Sequence, residues 1–345
     1  MKTAATAPRL NNQNHRISRV EKRRLAEADT RPRVTLSFYR YVRFTDPEAF
    51  VALLHDTWNV FDCYGRIYVA SEGINAQMSV PVEHWDDFDA WITSQPELSG
   101  VPYKIAVDAG NAQSFNKLVI KIKDKIVADG LDDESFDVTN TGKYLTAAEI
   151  NTYVNDPDAV IVDMRNSYES EVGHFAGAIT PNVQTFRDEL QVTPETLRIH
   201  KNKKIALYCT GGIRCEKASA WLKHNGYQNI KHLKGGIIEY AHQVKQQGLP
   251  NKFRGKNFVF DERLGERVGD EIISKCHLCR KEPSDTHYHC PNQICHTLFI
   301  SCEKCLQKKA GYCTRTCKWT DRLPEKQKKV VARWYHDNVG LKRTF

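Results

Sequence analysis

The chain has 345 residues, 41% apolar and 27% charged, a balance that suits two or three folded domains and excludes a disordered or low-complexity protein. It contains no run of about 18 uncharged apolar residues, which excludes a membrane-spanning helix. Its N-terminus lacks the apolar core of a secretory signal, so a reducing, cytoplasmic location is expected. The formal charge of +8 sits at the two ends: residues 1–33 carry nine Lys/Arg against three acids, residues 306–345 carry eleven against three, and the 30 basic and 36 acidic residues between them leave −6. Such ends suit a grip on a polyanion, nucleic acid first, or are simply solvated tails.

Residues 1–32 read as a basic arm with a helix around 16–28. From residue 33 to about 140 the pattern is βαββαβ: strands at 34–41, 65–70, 76–80 and 118–126, helices at 47–57 and 82–95. That order predicts a ferredoxin-like or acylphosphatase-like α+β domain. Lys121, Lys123 and Lys125 on one strand face favour a second RNA surface over a mere spacer. Residues 144–250 alternate strand and helix. Thr146 and Glu149 form a capping box, 159–162 and 205–208 are apolar runs expected of doubly covered strands, a helix runs over 216–225, a strand over 230–233 and a helix over 237–244. This is an α/β domain with a parallel sheet. Residues 251–273 read as a polar linker, and 251–345 as a whole as linker, cysteine-rich module and basic tail ending in a helix near 327–336.

One loop in the α/β domain has the composition of a catalytic site. Cys209-Thr210-Gly211-Gly212-Ile213-Arg214 follows a buried strand and precedes a helix expected to start near 215–216. The carboxyl end of a parallel strand is where open α/β sheets bind ligands. The glycines let the backbone curl, so that amides of Thr210, Gly211, Gly212 and Ile213 cradle the sulfur. The helix N-terminus adds partial positive charge and Arg214 a full one. All three favour the thiolate, which is the nucleophile. Cys209 and Arg214 are therefore the expected catalytic pair. Cys215 could resolve an oxidised Cys209 as a disulfide, or simply pack.

Eight of the eleven cysteines fall into four close pairs: Cys276/Cys279, Cys290/Cys295, Cys302/Cys305 and Cys313/Cys317. Two such pairs complete a four-thiolate site, so two structural zinc ions are expected, with sequential or cross-braced pairing. His277, His287, His289 or His296 could replace a ligand; disulfides and iron–sulfur are the competing readings. Lys308, Lys309, Arg315, Lys318, Lys328, Lys329, Arg333 and Trp334 then place charge and an aromatic ring beside the module, a pattern that suits RNA phosphates and base stacking, or a solvated amphipathic helix.

The Cys-x4-Arg spacing is one residue shorter than a phosphatase loop and resembles the rhodanese family. Asp163-Met164-Arg165, Glu169, the segment Gly173-His174-Phe175-Ala176-Gly177-Ala178-Ile179 and Leu233-Lys234-Gly235-Gly236-Ile237 resemble that family too; Asp163, Arg165 and His174 are expected to hold the sheet and loop together. Beyond this domain, Ser37-Phe38-Tyr39-Arg40-Tyr41, Ala70-Ser71-Glu72-Gly73-Ile74-Asn75-Ala76, Gly255-Lys256-Asn257-Phe258-Val259-Phe260-Asp261 and Cys215-Glu216-Lys217 resemble the bacterial rhodanese-type tRNA uridine hydroxylases. The resemblance implies oxygen-dependent hydroxylation of the wobble uridine of tRNA to 5-hydroxyuridine, with molecular oxygen as co-substrate, tRNA as partner and an essential rhodanese cysteine. It names no organic cofactor. A sulfur nucleophile could add to C6 of uracil and make C5 electron-rich, or an oxidised Cys209 could deliver the oxygen; loop amides and Arg214 would stabilise negative charge in both. The alternative activity is a sulfurtransferase carrying persulfide on Cys209.

Overall fold

The computed structural model describes residues 28–107, 114–133 and 135–339. The expected helix over 16–28 and the last residues of the basic tail lie outside them, apart from Ala28.

The first sheet contains β1 (Arg33–Tyr41), β2 (Tyr64–Ala70), β3 (Gly73–Pro81), β4 (Lys104–Ile105) and β5 (Leu118–Ile122) in the order β4-β1-β3-β2-β5. Helices α1 (Pro47–Val60) and α2 (Trp85–Ser94) cover one face. Helix α1 begins where it does because the Asp46 carboxylate accepts from the amide of Ala49 (2.9 Å) and Pro47 presets the first turn. Strand alternation sends Leu36, Phe38, Ile67, Ala76 and Met78 into the core under the helices with Leu54, Trp58 and Phe88. Thr35, Ser37 and Tyr39 therefore point the other way. The expected last strand of the βαββαβ unit is reassigned. The short β4 takes that place beside β1, and β5 is an added strand parallel to β2. Strand β5 stops at Ile122, so the three lysines do not share a face: Lys125 turns back to donate to Asp129 (2.7 Å) and to the carbonyl of Leu131 (2.8 Å).

The second sheet is wholly parallel, in the order β6-β10-β9-β7, with β6 (Lys143–Leu145), β7 (Ala159–Asp163), β9 (Lys204–Tyr208) and β10 (Ile230–Leu233). Helix α3 (Ala147–Val154) opens on the expected capping box of Thr146 and Glu149. After it come a short helix α4 (Ser167–Ser170), strand β8 (Gly173–Phe175), and helices α5 (Phe186–Thr196), α6 (Ile213–His224) and α7 (Gly236–Gln247). Both faces of β9 are buried: Ile205, Leu207 and Cys209 face α5 and α6, while Ala206 and Tyr208 face α3 and α7. That is why the run is continuously apolar.

Residues 251–273 are not a linker. Strand β11 (Phe253–Asn257) pairs with β8 on one side and β12 (Glu266–Arg267) on the other. Phe253 and Phe258 are buried, and Glu266 and Asn257 are hydrogen-bonded to each other (3.1 Å) inside. The segment looked like a linker because its inward-facing polar residues find partners. Beyond it, β13 (His287–His289), β14 (Leu298–Ile300) and helices α8 (Glu303–Lys308), α9 (Arg315–Thr320) and α10 (Glu325–Val339) complete the chain.

Candidate active site

Cys209 directly follows β9 at the floor of a cavity of about 870 Å³ between the two sheets. Two glycines make the loop possible. Gly212 is the N-cap of α6 at φ +98°, so the helix starts at Ile213, earlier than expected, and Arg214 and Cys215 lie in its first turn. Gly236 has φ +68°, and a Cβ there would come within 2.5 Å of the carbonyl oxygens of Cys209 and Thr210. This close approach lets the amides of Ile237 and Ile238, at the start of α7, bind those carbonyls (3.0 and 3.2 Å). With its carbonyls held behind, the loop turns amides toward the sulfur. The Gly212 N–H donates to Sγ at 3.1 Å.

Burial alone would raise the Cys209 thiol. It is outweighed by a hydrogen bond from the Cys215 thiol, the charge of Arg214 and the backbone amides of Cys215 and Gly212, which together bring the thiol down to about 6. Cys215, equally buried, is pushed well above its ordinary value by burial and by serving as that donor. Sequence reasoning left Cys215 between packing and disulfide formation; the electrostatics of the loop instead use its buried thiol as a donor that favours the Cys209 thiolate. Arg214 brings the expected positive charge, and with it a counter-ion. Its guanidinium forms a two-pronged pair with Glu169 (2.6 and 2.9 Å), both side chains buried. The Thr210 hydroxyl joins the same network, 3.3 Å from Glu169 and 3.4 Å from the carbonyl of Phe258. Gly211 and Ile213 line the cavity. Asp163 and Arg165 form a buried ion pair (2.7 Å) that also takes in the Tyr208 hydroxyl, and His174 Nδ1 lies 2.9 Å from the Ser170 carbonyl, so these three are structural as expected.

The first domain supplies residues that sequence reasoning quoted without a role or passed over. Tyr39 donates to Glu216 (2.9 Å), as does Tyr144. Lys217, 1% exposed, donates to Glu72 (2.9 and 3.0 Å), Asp129 (2.6 Å) and the Val127 carbonyl, and so ties the first domain to α6. Lys104, 6% exposed, stands over the Tyr39 ring at 4.3 Å. Burial, only partly offset by the charges of Cys209, Glu216 and Glu239, lowers its ammonium to about 8. A lysine in a two-residue strand carries no periodicity, so no sequence signal could have placed it beside Cys209.

The eight paired cysteines form two groups, Cys276, Cys279, Cys302 and Cys305, and Cys290, Cys295, Cys313 and Cys317. The pairing is thus cross-braced: first with third, second with fourth. Within each group the four sulfurs lie within 4.8 Å of one another, a separation that fits the corners of a tetrahedron around one metal ion. Among the described residues no histidine joins either group: His277 bonds Glu171 (2.7 Å) instead. Beside them Trp319 and Trp334 are about 60% exposed. No helix among the described residues is long and apolar enough to cross a membrane.

Known proteins match the chain along most of its length. Residues 33–126 match the UPF0176 acylphosphatase-like domain, 146–243 the rhodanese-like domain and 254–318 the rhodanase C-terminal family. A protein of Escherichia coli O17:K52:H18 named tRNA uridine(34) hydroxylase is 51% identical over 291 residues, covering 84% of this chain and 83% of its own. One of the same name from Cronobacter sakazakii is 49% identical over 317 residues, covering 92% and 90%. With identity near one half across nearly all three parts of the fold, the chain belongs to the tRNA uridine(34) hydroxylase family.

Proposed function

We propose that this protein hydroxylates uridine 34 of tRNA at C5 in the cytoplasm, with Cys209 as the reacting residue and molecular oxygen as co-substrate. The observation that carries the reading is Cys209 itself: a thiol lowered to about 6, at the floor of a cavity large enough for a nucleotide, in a chain of this family. At neutral pH the sulfur is ionised and can add to C6 of a uracil ring. The bond that forms leaves electron density on C5 and on O4; C5 takes one oxygen atom from molecular oxygen while a two-electron reductant and two protons carry the other to water, and loss of the C5 proton then expels the Cys209 thiolate and restores the ring double bond. Arg214, held by Glu169, keeps the field at the sulfur fixed rather than acting as a mobile cation.

The two cysteine groups would each hold one zinc ion with all four positions filled by protein, a structural role that ties the segments between Cys276 and Cys317 to one another. The exposed tryptophans and the basic residues around them then supply sequence-tolerant contacts to tRNA.

The test is mass spectrometry of nucleosides from tRNA incubated with the purified protein and from cells lacking the gene. Loss of 5-hydroxyuridine derivatives in those cells, and with Cys209→Ser, is the expected result. Loss of thiolated nucleosides instead would replace this reading with sulfur transfer.

A further inference from the structure

The first sheet carries a row of polar side chains on the face opposite its helices. Backbone register sets Lys104 beside Ser37, Ser37 beside Gln77 and Gln77 beside Arg66, across four neighbouring strands. All four line the cavity above Cys209. At about 4.8 Å per strand the row is some 14 Å long. Its inner end is Lys104, whose stem lies 3.6 Å from where a Cβ on Gly211 would be; its outer end is Arg66, which is exposed. None of the four side chains has a hydrogen bond or ion pair to another described residue, although Lys104 is buried. Of the four only Lys104 is buried, and a buried ammonium without a hydrogen-bond partner in a concave wall is a group that a ligand can complete. The next row on the same face holds Tyr39, Asn75 and Tyr68, also in register, and the Tyr68 ring offers a surface on which a base can stack.

We propose that this row is the binding wall for the target nucleotide, with the base at the Lys104–Gln77 end facing Cys209 and a phosphate at Arg66. The identity of the base rests on the proposed hydroxylation. The chemistry of the row fits the ligand. The Gln77 carboxamide offers one donor and one acceptor, as the N3–H and carbonyl edge of uracil requires. Lys104 lies where a ring oxygen would gather negative charge once a nucleophile adds to C6. Arg66 presents a planar fork to phosphate. The row contains two cations and no acid; of the acids around it, Asp261 and Glu266 are held by Arg263 (2.6 and 3.4 Å), Asp188 accepts from the Thr185 hydroxyl (2.8 Å) and Glu216 from Tyr39 (2.9 Å), so the wall favours an anionic ligand.

The experiment uses the full chain and an anticodon stem-loop RNA with uridine at position 34. Two quantities are read: protection of Cys209 from iodoacetamide by the RNA, and kcat and KM for hydroxylation. Arg66→Ala and Gln77→Ala are expected to weaken protection and raise KM about tenfold, the effect of one lost strong hydrogen bond. Lys104→Met, which keeps the stem, is expected to lower kcat on the order of a hundredfold, with partial recovery in Lys104→Arg. Hydroxylation with all variants indistinguishable from wild type overturns the wall and leaves the proposed function standing. Protection lost in the variants of a protein that makes no 5-hydroxyuridine does the reverse. Arg66→Ala, at an exposed position, keeps the test valid should the buried variant fail to fold.

Discussion

Replacing Cys215 by alanine tests the electrostatics of the loop most directly. The substitution deletes one thiol donor to Cys209 and leaves both backbone amides and the Arg214–Glu169 pair in place. A hydrogen bond to a charged group contributes about 1.5–3 kcal/mol, and each pKa unit corresponds to about 1.4 kcal/mol. The Cys209 midpoint should therefore rise by roughly one to two units from its starting value of about 6. At pH 7 the ionised fraction would fall from about 90% to between about 50% and 10%. Alkylation by iodoacetamide, followed peptide by peptide over pH 5–10, measures this as a shift of the Cys209 midpoint, while limited access to the cavity scales all rates without moving it. Cys215→Ser, which restores a donor, should move the midpoint part of the way back. A wild-type midpoint above 8, or an unmoved midpoint in Cys215→Ala, would refute the account.

Three further outcomes are expected. Glu169→Gln leaves Arg214 buried without its counter-ion and should destabilise the protein by about 3–5 kcal/mol in denaturant unfolding, with the Cys209 midpoint falling further because the Arg214 charge is no longer balanced. The stability advantage of wild type over Cys209→Ala should depend on pH: because the folded thiol binds its proton less readily than the unfolded one, the advantage is fully present above the unfolded value near 8.5 and is lost as pH falls through about 6. Metal analysis should find about two zinc ions per chain, about one after Cys276→Ser, and unfolding of the region beyond residue 273 on chelation, seen by proteolysis.

Much of this architecture could be read from residue patterns, and the exceptions share a cause. Strand β9 and its Cys-x4-Arg loop were legible because a doubly covered strand, two glycines and a helix start are local signals. The zinc-type pairs were legible as pairs, but which pair joins which depends on how β13 and β14 fold back, and spacing cannot say. The partner of Arg214 was hidden for the same reason: Glu169 is 45 residues away. Lys104 and the polar row it begins were invisible, because a row across strands is set by register among segments distant in sequence. The reading of 251–273 failed where buried polar residues imitate a solvated segment.

The pairing of β11 with β8 bears on where this chain can be divided. A cut at residue 250 follows the apparent edge of the α/β unit, yet it strips a strand from Gly173–Phe175, uncovers Phe175 and removes the Phe258 carbonyl from beside Thr210. A fragment ending there would expose a raw sheet edge next to its own reactive loop and be prone to self-association. The reactive loop and strand β11 thus belong to one folding unit.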